Sequence, residues 1–203
     1  MDKFEIIDFW FDTTQGHSEL SDVAINQQQS SLWWQKNEQL DTSIRQRFQP
    51  TLKALLRGQY NDWLTDAEGR LAAIIVLDQF SRNMYRNSAL SFTQDSLALH
   101  WCLEGIRSGQ DQLLRPIQRV FFYMPLEHAE SPQMQALCAE KFQQLKDDAP
   151  ESFRSAADDF IGFARRHQEI IDRFGHFPHR NAMLGRETTA EEKDFLQQPG
   201  SSF

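Results

Sequence analysis

Apolar residues in this chain return every three or four positions, and no stretch alternates apolar with polar between hairpin turns. The pattern therefore predicts helices and no sheet. Phe4, Ile7 and Phe11 mark a short first helix. From 13 to 31 the spacing fades into polar residues, NQQQSS among them, which predicts an exposed loop closed by Trp33 and Trp34. Leu40, Ile44, Phe48, Leu52 and Leu55 restore the spacing, with Pro50 expected to kink that helix and Gly58 to end it. Thr65 and Glu68 have the spacing of a capping box, and the body that follows, LAAIIVL at 71–77, is apolar on every side and so belongs at the centre.

A further helix is expected over 90–108, stopped by Gly109. Pro116 suits the first turn of the next, through VFFYMPL, again apolar all round. Ser131 and Pro132 open an amphipathic helix to about 147. The last long one sets Phe153, Ala157, Phe160, Ala164, His167, Ile171 and Phe174 on one seam, with Gly175 at its end. Thr189 and Glu192 repeat the capping-box spacing before a short final helix, and 197–203 is expected to fray. The chain reads as one all-α domain over 1–203, antiparallel helical hairpins stacked into a compact bundle of about seven to eight helices or into a solenoid-like array. It has no clean internal period.

Composition narrows the function classes. A formal net charge of -8 argues against nucleic acid as a partner, since a phosphate backbone calls for a basic surface. Arginine dominates the 21 basic residues, which fits ion pairing or recognition of small anions. Cys102 and Cys138 share no metal-ligand spacing and make no disulfide framework. The start, MDKFEIIDFW, is not patterned as a signal peptide, and no apolar run is long enough for a bilayer. A cytoplasmic protein with no membrane partner is expected.

The candidate chemistry sits where apolar helix bodies stop being apolar. After 71–77 come Asp78, Gln79, Arg82 and Asn83; after VFFYMPL come Glu127, His128 and Glu130. Carboxylates are disfavoured at a helix C-terminus unless cations lie close. Asp78 and Arg82, four apart with the acid first, are placed to pair along the helix, either as a structural bridge or as part of a site. Tyr123, Glu127 and Glu130 share a helical face, where paired carboxylates serve as acid and base or simply as a solvated helix end. His167 on the apolar seam is either a hydrogen-bonded core residue or a base.

The stretch RFGHFPHRN at 173–181 crowds cations and histidines around a turn. Gly175 suits the left-handed position there, and Phe174 and Phe177 are expected to anchor the turn. His176, His179, Arg180 and Asn181 then hang from a fixed loop, as a binding site or as a clasp on helix-end carbonyls. No ligand pair has a strong metal spacing and arginines crowd the same place, so neither metal nor cofactor is expected.

Three segments, LDQFSRN at 77–83, YMPLEHAE at 123–130 and FGHFPHRNAMLGRETTAEEKDFL at 174–196, together with Trp33, Trp34, Asp41, Ile44, Gly58 and Trp63, resemble the bacterial family known as domain of unknown function 924. The resemblance spans nearly the whole chain. It implies an all-α, tetratricopeptide-repeat-like fold and no assigned activity, and Ser81 stands where it implies proline. The expectation is a pocket joining Asp78, Arg82, Asn83, Glu127, His128, Glu130, His167, His176, His179, Arg180 and Asn181 around a small polar or anionic metabolite. The alternatives are a scaffold for a peptide or protein partner, and an enzyme of hydrolase or lyase type with a histidine base.

Overall fold

The computed structural model describes residues 1–13 and 19–202, and among them every regular element is helical. Helix α1 (Lys3–Phe11) opens on a capping box in which the Asp2 side chain and Glu5 satisfy each other's backbone N–H groups, and it buries Ile6, Ile7, Trp10 and Phe11. Helix α2 (Asp22–Trp34) lies where the polar pattern suggests a loop, so the expected loop 13–31 is corrected from Asp22 onward; residues 14–18 of it lie outside the described residues. Only Ile25 and Trp33 of α2 are buried. Two contacts leave no apolar stripe to detect, and the helix forms because Ser21 caps it and Trp33 docks, its indole N–H donating to the Trp10 carbonyl at 2.9 Å.

Helix α3 (Glu38–Leu56) runs unbroken through Pro50, and Gly58 follows it at φ 71°. The expected cap at Thr65 is displaced by one residue: Thr65 ends a short 3₁₀ turn (Asn61–Thr65), and the Asp66 carboxylate caps α4 (Ala67–Ile75) by accepting from Gly69 N–H. That cap brings two backbones together. A Cβ on Gly69 would stand 2.3 Å from the Trp63 carbonyl oxygen. Gly69→Ala is therefore expected to lower stability by about 1–3 kcal/mol in urea unfolding, the usual cost of overpacking a well-filled site.

Helix α4 passes through a single π turn (Val76–Phe80) into α5 (Ser81–Met84), making one buried rod. The helix expected over 90–108 is a 3₁₀ turn (Ala89–Phe92) followed by α6 (Asp95–Arg107). Helix α7 (Pro116–Glu127) starts on Pro116 and is buried over nearly its whole length. Helices α8 (Pro132–Asp148), capped by Ser131, and α9 (Glu151–Phe174) pack as the most extensive hairpin. A 3₁₀ turn (Pro178–Arg180), α10 (Asn181–Leu184) and α11 (Ala190–Leu196), capped by Thr189 and Glu192, complete the chain.

With α4 and α5 taken as one rod, the described residues hold ten helices rather than seven to eight; α2 and the single-turn α10 make the difference. The expected frayed tail, 197–203, is held as far as Ser201, which is buried and donates to the Leu196 carbonyl; Phe203 lies outside the described residues. The main core forms around α4 and α7, each touched by α6 and one another, with α1 on the first and α2, α8 and α9 on the second. Each fully buried Ile, Leu or Phe there contributes about 1.5–3 kcal/mol of transfer free energy. A separate small cluster of Ile170, Ile171 and Phe177 pins the C-terminal turn to α9. Among the described residues no helix is long and apolar enough to cross a membrane.

Candidate functional site

The π turn takes in one residue more than an α-helical turn, a feature that recurs at functional sites. Here it carries Asp78 to a wholly buried position. The charge is met from three sides: Arg82 Nη1 lies 2.9 Å and His128 Nδ1 2.8 Å from Asp78 Oδ1, and Gln79 donates its amide to Oδ2 at 2.7 Å. Burial by itself would raise the Asp78 pKa, but Arg82 and His128 outweigh it and hold the carboxyl well below its ordinary range. The Asp78–Arg82 pair expected along the helix is thus formed, with Ser81 leaving the rod intact, its hydroxyl turned to the Val76 carbonyl.

An ionised Asp78 accepts only, so His128 must present Nδ1–H to it, which makes Nε2 the lone-pair nitrogen. Burial, then the nearby Arg82 charge, lowers the His128 pKa, so the ring is neutral at pH 7. His128 lies just beyond α7 and lines a cleft of about 390 Å³, open to solvent. Across that cleft stand Asp95 at the first turn of α6, Glu130, and Arg180 on the C-terminal turn, with Phe92, Leu99, Pro125 and Leu184 among the apolar walls.

Asp95 ties the arginines together. Arg82 grips it with two hydrogen bonds, at 3.0 and 3.1 Å, and Arg180 Nη1 reaches it at 3.4 Å. Glu130 is held on the other wall by Arg186, at 2.8 and 3.0 Å, and by the Phe177 N–H at 2.9 Å. Its burial opposes ionisation, yet these donors keep its pKa below the ordinary value. The Arg180 guanidinium lies between the rings of Phe92 and Phe177, 4.7 and 4.6 Å from their centres, and only 7% of its side chain is exposed. Its Nε finds no acceptor. Burial first, and Arg82 second, brings its pKa down to about 10.

The other expected members divide. Glu127, the last residue of α7, is buried away from the cleft, with Oε1 3.3 Å from His167 Nδ1 and Oε2 without a hydrogen-bond partner. Burial, reinforced by Asp78, pushes the Glu127 pKa up to about 8, and burial pushes that of His167 down to about 3. Both groups are therefore neutral at pH 7, and the contact is no ion pair. His167 Nδ1–H instead donates to the Phe163 carbonyl one turn back, at 2.9 Å.

The face expected to unite Tyr123, Glu127 and Glu130 does not exist, because α7 ends at Glu127 and Tyr123 turns its hydroxyl to Asp111 at 2.7 Å. Asn83 lies outside the pocket: it donates to Asp41 at 2.8 Å, beside the Arg86 bridge to the same carboxylate. His176 and Asn181 also lie elsewhere, on Glu192 of α11, at 2.6 and 3.4 Å. His179, next to Arg180, is driven down to about 4 by burial and then by that arginine. Trp33 is core, while Trp34 stacks half-exposed on Phe121. A second depression, lined by Glu38, Gln39, Thr42, Ser43 and Gln46, is a stretch of the α3 surface where no groups from other elements converge. Among the described residues no three His, Cys, Asp or Glu side chains are grouped to hold a metal ion.

The bacterial family described as "Bacterial protein of unknown function (DUF924)" matches residues 6–200. The chain belongs to this family. The solved structure of a protein of unknown function from Agrobacterium tumefaciens is 33% identical, with 96% of each chain covered and a TM-score of 0.79. No curated protein is similar to the chain. The three segments that carry the family resemblance supply Asp78, Arg82, His128, Glu130, Arg180 and Arg186 of the cleft and its supports. Asp95 and Phe92 come from outside them and escape sequence reasoning, because the partners of Asp95 lie 13 and 85 residues away and Phe92 meets the same distant Arg180, which leaves no local spacing. The one available signal for Asp95 is an acid in the first turn of a helix.

Proposed function

We propose that the protein binds a small anionic ligand in the cleft between α6, the end of α7 and the turn at 178–184, with Arg180 as the anchor. What supports this reading is the state of Arg180. A nearly buried cation should be fully paired, yet Arg180 has one long contact to an aspartate already held by Arg82, and an Nε with no acceptor. Its two aromatic faces hold the planar fork still without using its donors. An arriving carboxylate or phosphate would supply what the site lacks, at a desolvated position where charge-assisted hydrogen bonds are strongest.

The walls set limits on the ligand. Asp95 and Glu130 repel a highly charged species, and Phe92, Leu99, Pro125 and Leu184 favour a short apolar body. Calorimetric titration with acetate, succinate and inorganic phosphate tests the reading. Arg180→Ala is expected to weaken the binding of the anion preferred by the wild type about 10- to 100-fold, the worth of a hydrogen bond to a charged group. Arg180→Lys, which keeps charge but not the fork, should restore only part of it. Equal affinity in wild type and Arg180→Ala, or no heat with any of the three anions, would remove the anchor.

A further inference from the structure

We infer that the Asp78–His128 pair makes this cleft a general-base site that hydrolyses a small carboxylic ester whose other end carries a free carboxylate; the inference rests on the anion-binding reading of Arg180. Three observations carry it. The Nδ1 side of His128 is fixed on a buried carboxylate at 2.8 Å, so the ring cannot turn and Nε2 is its one remaining polar atom, on a side chain that lines the cleft and is 15% exposed. An anchored acid behind a histidine both sets the tautomer and stabilises the imidazolium that forms when Nε2 takes a proton.

The second observation is the shortage of open cations. Arg82 is occupied by Asp78 and Asp95, and Arg186, held on Glu130, has an Nε without an acceptor but does not line the cleft, which leaves Arg180 as the one cation lining it among the described residues. A phosphoryl centre under attack needs cations at the reacting atoms themselves. One anchor suffices only if the anionic group is a handle and the centre attacked is neutral, as an ester carbonyl is. The third is access. The cleft is open to water, which suits a reaction that consumes water and works against carbanion chemistry, which benefits from its exclusion. Two hydroxyls line the cleft: Ser131 is committed to capping α8 and to Gln133, and Ser96, on α6, makes no hydrogen bond with His128, so water is the nucleophile.

The step balances without a further reagent. His128 Nε2 removes a proton from water as the water oxygen bonds to the ester carbon and the carbonyl pair moves onto its oxygen. Collapse of that adduct restores the carbonyl and breaks the bond to the alkoxide. The alkoxide leaves with the proton returned from Nε2, giving one acid and one alcohol. Asp78 is a positioning residue and remains ionised throughout.

Release of nitrophenolate from mono-4-nitrophenyl succinate, read with succinate calorimetry on the same proteins, provides the test. His128→Asn keeps an amide N–H near the place of Nδ1 and so retains the donor to Asp78 while deleting the base. It should bind succinate like the wild type and lose about 10²- to 10⁴-fold in kcat. His128→Gln serves if the first variant fails to fold. Asp78→Asn should lower kcat at unchanged KM and alter the pH profile, whereas a merely structural Asp78 would leave that profile unmoved. Wild type that binds succinate but hydrolyses the ester no faster than His128→Asn overturns the inference and leaves the binding reading standing. Wild type that neither binds nor hydrolyses removes both. His128-dependent turnover of 4-nitrophenyl phosphate in place of the ester would overturn the argument for a neutral centre.

Discussion

Replacing Asp78 by alanine is expected to destabilise the protein by about 3–5 kcal/mol in urea unfolding at pH 7, the range for breaking a buried pair by removing one partner. The carboxylate is entirely enclosed and serves three donors, from Arg82, His128 and Gln79. Alanine leaves the last two without an acceptor and Arg82 with Asp95 as its one remaining carboxylate, beside the backbone carbonyl of residue 78, so the loss exceeds that of a surface bridge. Asp78→Asn preserves shape and one acceptor and should fall in between. Because the folded pKa of Asp78 is depressed, its contribution is present above the ordinary carboxylate range and is lost as pH falls toward the folded value. A loss under about 1 kcal/mol for alanine would put this aspartate in the class of ordinary surface positions.

Glu127→Gln has the opposite sign, and its effect depends on pH. Burial lifts the folded pKa of Glu127 to about 8, above the carboxylate value of the unfolded chain. Between those values the folded state holds a proton that the unfolded state has released, so stability falls as pH rises and levels off above about 8. Glutamine carries no such linkage. It should match the wild type near pH 4 and exceed it on the order of 3 kcal/mol at pH 8. His167 works the other way: with a folded pKa near 3, it favours the folded state more as pH rises toward the ordinary histidine value. The two slopes partly cancel in the wild type at mildly acid pH, but His167 is common to both proteins, so the gain from glutamine follows the Glu127 linkage alone and is largest at and above pH 8. A constant difference between variant and wild type from pH 4 to pH 8 would mean that Glu127 is ionised in the folded protein.

The sequence makes the interior legible and the surface less so. α4, α7 and α9 could be read because apolar residues cover a whole helix or a full seam, and Gly175 marked the end of α9 and Thr189 the start of α11 by chemistry that few other residues supply. Helix α2 could not, since two buried side chains among polar ones give no period. In the site, Asp78 and Arg82 were legible as neighbours on one helix, and the 173–181 turn as a cluster of cations. Which cation meets which acid was not. Arg180 goes to the start of α6 rather than to the end of α4 or α7, and His176 and Asn181 go to α11, pairings fixed by the packing of whole helices rather than by spacing.

The π turn at Val76–Phe80 also constrains how this chain tolerates change in length. Losing one residue there would restore plain α-helix and swing everything beyond it by about 100° around the rod axis. Arg82 would then face away from Asp95, and Asn83 and Arg86 away from Asp41. The extra residue therefore acts as a phase-setter, aligning the far end of the rod with two separate neighbours at once. That makes its length harder to alter than the identity of most side chains along it.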